Sequence, residues 1–451
     1  MLRNRSALLM LVILATSIQG QYCFGAGRQM QVGVGTHVGN NLAAVQNILD
    51  NLDLSFRDDF RWSNMETQKG VLTYANVNKN LDALIADALK RHKQPIILLS
   101  NGNKLYDGGG QISSAEGLAA YARYAQFVAK HMGNNVLQYE VWNEWPGGSG
   151  WTQQQPSSKG DPVAYANLLR ATYPAIKAAN PKAVVIGGGM GYPDIGWLTK
   201  FADAGGLAAI DGISIHPYVH CNAHSPLPPS NTRVGSNLAS RQSRLGVTRV
   251  ADSSTYIPIG GTAEQSIAYV DSLKSFVDKH APGRNMSVYV TEIGWPTMTG
   301  QCGIPDTQAA AYLQRFMLLA LARPYVAGVW WYDLQDDGTD PANREFHFGL
   351  TAHDFSPKPA YTALTGLMEI LGSTSAINES LGQSGEITIS GKTSAGKSFV
   401  AAWVPTVNFN SQQSWAAGPK LATSGLRAMT TSTNTTDSSH IGATPSIFIS
   451  E

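Results

Sequence analysis

An eightfold alternation of strand-like and helix-like runs between residues 30 and 371 predicts an α/β chain folded as a (β/α)8 TIM barrel. Two further observations shape that expectation. The strand-like runs are almost continuously apolar, as strands covered on both faces of a parallel sheet are. After Leu371 helical periodicity ends and Ser, Thr, Gly and Asn dominate, which predicts a small all-β domain over 372–451.

The elements follow in order. MQVGVGTHV (30–38) reads as the first strand, and NLAAVQNILDNL (41–52) then places its apolar residues at helical spacing. LSFRDDFRW (54–62) precedes a helix over 76–92, and PIILLSNGN (95–103) precedes one over 114–132. VLQYEVWNEW (136–145) is followed by helical residues 163–180, AVVIGGGMG (183–191) by 195–205, and IDGISIHPYV (210–219), after a long polar loop, by 262–280. The last pairs are MSVYVTEIGW (286–295) with 307–322 and VAGVWWYDLQ (326–335) with 359–371. In the tail, EITISG, KSFVAAWVP and PSIFISE read as strands between turn residues, and the tail is expected to be a structural appendage, with a sugar-binding module carrying Trp403 and Trp415 as the alternative.

Charge and targeting narrow the function. A formal net charge of +1, with both signs interspersed, gives no basic stripe, so nucleic acid is not an expected partner. Arg3 and Arg5 precede an apolar run from Ala7 to Ile18, the pattern of a signal peptide or N-terminal anchor over 1–25. Export to the periplasm or cell exterior is therefore expected, and an uncleaved segment would tie the protein to a membrane. Gly20, Gly25 and Ala26 offer small residues without completing a cleavage motif. The chain has three cysteines, too few for a disulfide scaffold or a thiolate zinc cluster; Cys221 and Cys302 both fall in loops at the barrel mouth and are expected to pair.

In such a barrel, polar residues at the C-terminal ends of strands face the active site. Those ends carry Arg57 on the second strand, Asn101 on the third, Asn143 and Glu144 on the fourth, His216 and Tyr218 on the sixth, Glu292 and Trp295 on the seventh, and Trp331 on the eighth. Glu144 and Glu292 lie across the mouth from each other. Two carboxyl groups flanking a glycosidic bond are what its hydrolysis requires: one protonates the departing oxygen, the other attacks or stabilises the anomeric carbon. Glu140 shares the fourth strand and parity with Glu144 but sits a layer deeper, as a paired structural group.

Two competing motifs are set aside. His216, His220, Cys221 and His224 lie close in sequence, but Pro217 and the preceding strand place them in extended chain, where four-residue spacing does not share a face; no metal site is expected. IGGGMG resembles a dinucleotide loop, yet Asp211 opens the following strand instead of closing it, so the glycines are read as turn geometry or close approach to substrate.

VWNEW, with Asn143 directly before Glu144, and VTEIGWPT, with Glu292, resemble the two signatures of the clan A glycoside hydrolases. FRDDFRWSNMETQKG, HPY, WWYDLQDDG and the later FGL and PKPAY add to the match, which runs from about Gln31 to Leu371. Within the clan the chain resembles family 39, above all bacterial members acting on biofilm exopolysaccharide of the Psl type. The resemblance implies a retaining glycosidase acting on a polysaccharide without metal or redox cofactor; the long loops after the fifth, sixth and eighth strands are expected to build an open cleft that favours endo cleavage, and a monomer is expected. It implies Glu144 as acid/base, Glu292 as nucleophile, Asn143 as partner of the sugar 2-hydroxyl, and Arg57, with Arg61 the alternative, as the cation beside the nucleophile. Tyr218 or His216 would orient Glu292 or touch sugar. Trp331 would lie under the sugar, with Trp330 turned away, and Trp145 and Trp295 would form further walls; Asn101 completes the substrate-binding set. The competing reading is a carbohydrate-binding or matrix protein on a barrel that no longer catalyses.

Overall fold

The structure, a computed structural model, describes residues 28–37, 41–74, 79–154, 157–219, 261–299, 302–382, 386–405, 425–429 and 441–451. The expected leader over 1–25, His220, Cys221, His224 and Trp415 lie outside the described residues. Among the described residues no helix is long and apolar enough to cross a membrane.

Eight parallel strands close into a barrel: β1 (Gln31–Gly35), β2 (Ser55–Arg61), β3 (Ile96–Ser100), β4 (Gln138–Val141), β5 (Val184–Met190), β6 (Gly212–Ile215), β7 (Ser287–Ile293) and β8 (Val326–Trp331). Closure is made by β1 on β8, in register from Gln31 beside Gly328 to Val34 beside Trp331. Intervening helices begin where the sequence offers side-chain caps. Ser114, Asp161 and Asp194 each accept from a backbone N–H of the first turn, and Thr262 with Gln265 forms a reciprocal capping box.

Ile96, Ile186, Tyr289 and Trp330 form one small buried cluster. Their strands are not all neighbours, so the four side chains meet inside the barrel as a packed layer. Gly33 leaves room for the ring, because a Cβ there would stand 2.3 Å from Trp330. The expected parity of the eighth strand is thus reversed: Trp330 points inward and Trp331 outward, against Trp295 at 5.8 Å between ring centroids.

The tail forms antiparallel strands β9 (Ser373–Leu381), β10 (Ile387–Thr393), β11 (Ser398–Trp403), β12 (Leu426–Ala428) and β13 (Ser446–Ser450). A sixth strand, Arg28–Gln29, comes from before the barrel and pairs with Thr374 and Ser373 at the sheet edge. Strand β9, STSAINESL, escaped the sequence reading because it carries too few apolar residues to show alternation.

Sheet and barrel are joined through polar groups buried between them. The helix Asp306–Leu321 is buried on nearly every side, as its apolar sequence demands, and Arg315 projects from it. Arg315 Nε donates to the Ala443 carbonyl at 2.7 Å, Nη2 to that of Val404 at 3.3 Å, and Nη1 lies 3.6 Å from Glu264. Trp403 of β11 donates its indole N–H to Glu264 at 2.8 Å. Trp403, one of the two tail tryptophans, is therefore committed to the interface and offers no face to a sugar. Arg315→Met leaves Glu264 without its cation and is expected to cost about 3–5 kcal/mol in urea denaturation; a loss below about 1 kcal/mol would show the clasp to be dispensable.

Candidate active site

The fourth strand is shorter than the run 136–145 suggests. β4 ends at Val141, and Trp142 (φ 67°) and Glu144 (φ 47°) then adopt left-handed backbone on either side of Asn143. Such conformations are costly for residues with a Cβ and persist only when the surroundings impose them. Here Trp142 N–H bonds the Leu99 carbonyl at 3.1 Å and its indole bonds the Ser149 carbonyl at 3.0 Å. Gly189 on β5 completes the fit, since a Cβ at that position would lie 3.0 Å from Glu144 N. Of the IGGGMG glycines, Gly189 thus serves close approach to the Glu144 backbone, while Gly187 meets Ile210 and Leu169 and Gly188 meets the Ser214 backbone.

Arg57 is the hub. It projects inward from β2, buried, and its fork reaches three partners: Nε to Glu140 Oε2 at 2.6 Å, Nη1 to Glu292 Oε1 at 2.8 Å, and Nη2 to Asn143 Oδ1 at 2.7 Å. Burial works against its charge, but Glu140 and Glu292 outweigh that and hold the guanidinium above its ordinary value. Arg61, the alternative, is largely exposed and pairs with Asp59.

Glu292 receives Arg57 on one oxygen and the Tyr218 hydroxyl on the other, at 3.1 Å. His216 is fully buried, with Nδ1 2.9 Å from Glu144 Oε1 and 3.5 Å from Glu292 Oε2, and Nε2 3.0 Å from Thr291 Oγ1. Burial pushes its pKa down, while the Glu292 charge and the Glu144 contact raise it further than burial lowers it. Glu144 shows the complement: burial raises its carboxyl, and the His216 bond with the His216 and Arg57 charges brings it below the usual range. Its side chain is 39 % exposed against 11 % for Glu292, so the two carboxyl groups differ in access as well as in partners. An oxygen of each lies within 4.8 Å of the other.

Thr291 and Glu292 are consecutive yet both reach this network. In a regular strand they would face opposite sides, but pairing of β7 with β8 shifts register between Val290 and Ile293. That irregularity is invisible in the apolar pattern. Thr291 was missed for the same reason, and Glu140, expected to be a paired structural group, is fully buried between Arg57 and Thr291.

Four expected residues stand apart from this group. Trp145 and Trp295 are buried and spend their indole N–H on the carbonyls of Asp161 and Gly261, and Trp331 is 1 % exposed; none of the three presents a wall to a ligand. Asn101 is exposed just beyond β3, and no hydrogen bond among the described residues joins it to the carboxylates. The open ring at the end of β8 is Tyr332, two residues on from Trp330 and so of inward parity, edge-on to Tyr218 at 6.5 Å and to Phe348 at 5.3 Å.

Beside it lie His37, Asp333 and Asp337. Asp333 and Asp336 are buried, Asp336 pairing with Lys358 at 2.9 Å, while Asp337 is exposed. The His37 imidazole, 2.9 Å from Asp337, is pushed up to about 9 by that bond and the nearby carboxylates against burial. An imidazolium supplies the positive charge a metal would. At the main site the Arg57 guanidinium likewise sets a positive charge against Glu292, and it shares that charge with Glu140. Cys302 is in a disulfide; Cys221, its expected partner, lies outside the described residues.

No family model matches the sequence, and no curated protein matches it. Among solved structures, a family 39 glycoside hydrolase from the gut symbiont Bacteroides cellulosilyticus WH2 is similar over 94% of this chain and 81% of its own, with TM-score 0.69 and 26% identity. A glucosidase from Croceicoccus marinus covers 84% of this chain and 75% of its own, with TM-score 0.54 and 13% identity. A GH5_18 protein from Streptomyces cattleya, solved in complex with GlcNAc, covers 75% and 80%, with TM-score 0.51 and 17% identity. The latter two share the fold alone, and the family 39 enzyme shares in addition about a quarter of its residues over nearly the whole chain.

Proposed function

We propose that this glycoside hydrolase cleaves β-linked polysaccharide by retaining double displacement, with Glu144 as acid/base and Glu292 as nucleophile. The approach of one Glu144 oxygen to within 4.8 Å of a Glu292 oxygen carries the reading, because it suits the separation of about 5–5.5 Å in retaining enzymes better than the about 6.5–9.5 Å of inverting ones. The differing environments support the roles. Glu292 accepts from Arg57 and Tyr218, which aim its carboxyl group at one point; Glu144, more open, stands where it could exchange protons with a leaving group and then with water. Asn143, fixed by Arg57, is placed beside them for the 2-hydroxyl.

Finer features are part of the same proposal: cleavage within chains, an extracellular exopolysaccharide of the Psl biofilm type as substrate, and action outside the cytoplasm after export by residues 1–25. These rest on the motifs and on the leader-like N-terminus. The test is release of reducing ends from a panel of extracellular polysaccharides, mannose-rich biofilm material included, by wild type, Glu144→Gln and Glu292→Gln in the presence of EDTA. New ends from wild type alone, in products of several sugar units, support the whole reading, and products that are only monosaccharide remove cleavage within chains. Binding by all three proteins with cleavage by none would favour the carbohydrate-binding alternative.

Glu144→Gln has its own signature. Hydrolysis of a poor leaving group is expected to fall about 100- to 10,000-fold. An activated aryl glycoside, which leaves without protonation, keeps a fast first step, and azide restores turnover. Equal losses on both substrates would take the acid/base role away from Glu144.

A further inference from the structure

Hydrogen-bond accounting around His216 leads past the two carboxylates. Thr291 Oγ1 stands 2.9 Å from Glu140 Oε1 and 3.0 Å from His216 Nε2. A hydroxyl has one proton to give. Glu140, fully buried and paired with Arg57 at 2.6 Å, is an acceptor, so the Thr291 proton goes to Glu140 and Oγ1 must accept from His216 Nε2–H. The tautomer of the imidazole is thereby set, and Nδ1 is left facing Glu144 Oε1 at 2.9 Å.

We infer that Glu140 and Thr291 are positioning residues that act through His216 on Glu144: they pin the ring as the Nε2–H tautomer and so keep one proton on the Glu144–His216 pair through neutral pH. This rests on the reading of Glu144 as acid/base. The pair needs that proton because without it the Nδ1 lone pair would face a carboxylate at 2.9 Å. Escape to the other tautomer would require Thr291 to turn its proton from Glu140 to Nε2, leaving a fully buried carboxylate oxygen short of a donor.

The remaining charged and titratable groups around the ring are consistent with this. Glu292 Oε2, 3.5 Å from Nδ1, sets a second negative charge there and so resists loss of the pair's proton, Arg57 is held to Glu292, and the Tyr218 ring is 6.4 Å away. In the first half-reaction the proton passes from Glu144 to the departing oxygen as the glycosidic bond breaks and a Glu292 oxygen bonds the anomeric carbon. In the second, water adds to that carbon, its proton returns to the pair, and the bond to Glu292 breaks.

The experiment uses the full chain labelled with 15N-histidine, with a His216 variant to assign the resonance, alongside pH profiles of kcat/KM. Wild type and Thr291→Ser are expected to keep Nε2 protonated while Nδ1 shares the pair's proton with Glu144, the opposite of an Nδ1–H ring, whose Nε2 is bare. Thr291→Val, equal in shape but without the hydroxyl, is expected to shift the ring toward Nδ1–H and to move the basic limb of kcat/KM down by about one pH unit. Glu140→Gln should shift both readouts in the same direction. An Nδ1–H ring in wild type, or a Thr291→Val protein unchanged in both readouts, overturns the inference. The expected tautomer and its shift, in a protein that cuts no polysaccharide, would uphold the tautomer lock and remove the glycosidase reading instead.

Discussion

Glu292→Gln is expected to lower kcat by about 10,000-fold or more, the scale on which loss of a covalent nucleophile is felt. An amide cannot form the glycosyl ester, yet it keeps the shape of the site: its oxygen can still accept from Arg57 and its nitrogen can donate to the Tyr218 hydroxyl, which now lie 2.8 and 3.1 Å from the carboxylate. The loss should therefore appear in kcat, with denaturation midpoint little changed. Mass spectrometry supplies the second arm. A 2-deoxy-2-fluoro glycoside with a good leaving group is expected to label wild type once, at Glu292, and to leave the variant unlabelled. Labelling elsewhere would reassign the nucleophile.

Arg57→Met should be the most destabilising single change within the barrel. Its side chain satisfies Glu140, Glu292 and Asn143 at once, and Glu140 has no access to water. Removing one member of a buried ion pair typically costs about 3–5 kcal/mol, because the partner charge remains behind. Two carboxylates are stranded here, so the upper end of that range is expected in urea denaturation at pH 7. Replacing Glu140 and Arg57 together, by Leu and Met, should recover part of the loss, since an apolar pair strands only Glu292. A loss below about 1 kcal/mol for Arg57→Met would mean that water reaches the stranded groups.

Much of this arrangement was legible in the chain. Period and apolar continuity place eight strands, and the end-of-strand rule then picks out Arg57, Asn143, Glu144, His216, Tyr218 and Glu292, which the structure brings into one hydrogen-bonded group. What could not be read depends on departures from regular geometry. The adjacent indoles of Trp330 and Trp331 leave parity undecided until a glycine on the neighbouring strand is seen to admit one of them. The left-handed turn at Trp142 and Glu144 and the register shift before Ile293 re-aim side chains without changing composition. Sugar-facing aromatics suffered most: Trp145 and Trp295 occupy loop positions where indole rings serve equally well as core, and their N–H groups are committed to backbone carbonyls.

The short strand Arg28–Gln29 has a consequence for the order of assembly. It adds to a sheet edge formed by Ser373 and Thr374, while residues immediately after it close the barrel against β8. The two pairings join the same few residues to partners 297 to 346 positions later, and such contacts bear the highest loop-closure entropy and form slowly. During vectorial synthesis the first barrel strand must wait, unpaired on one side, until nearly the whole chain has emerged. Until then that strand's free edge is exposed to aggregation.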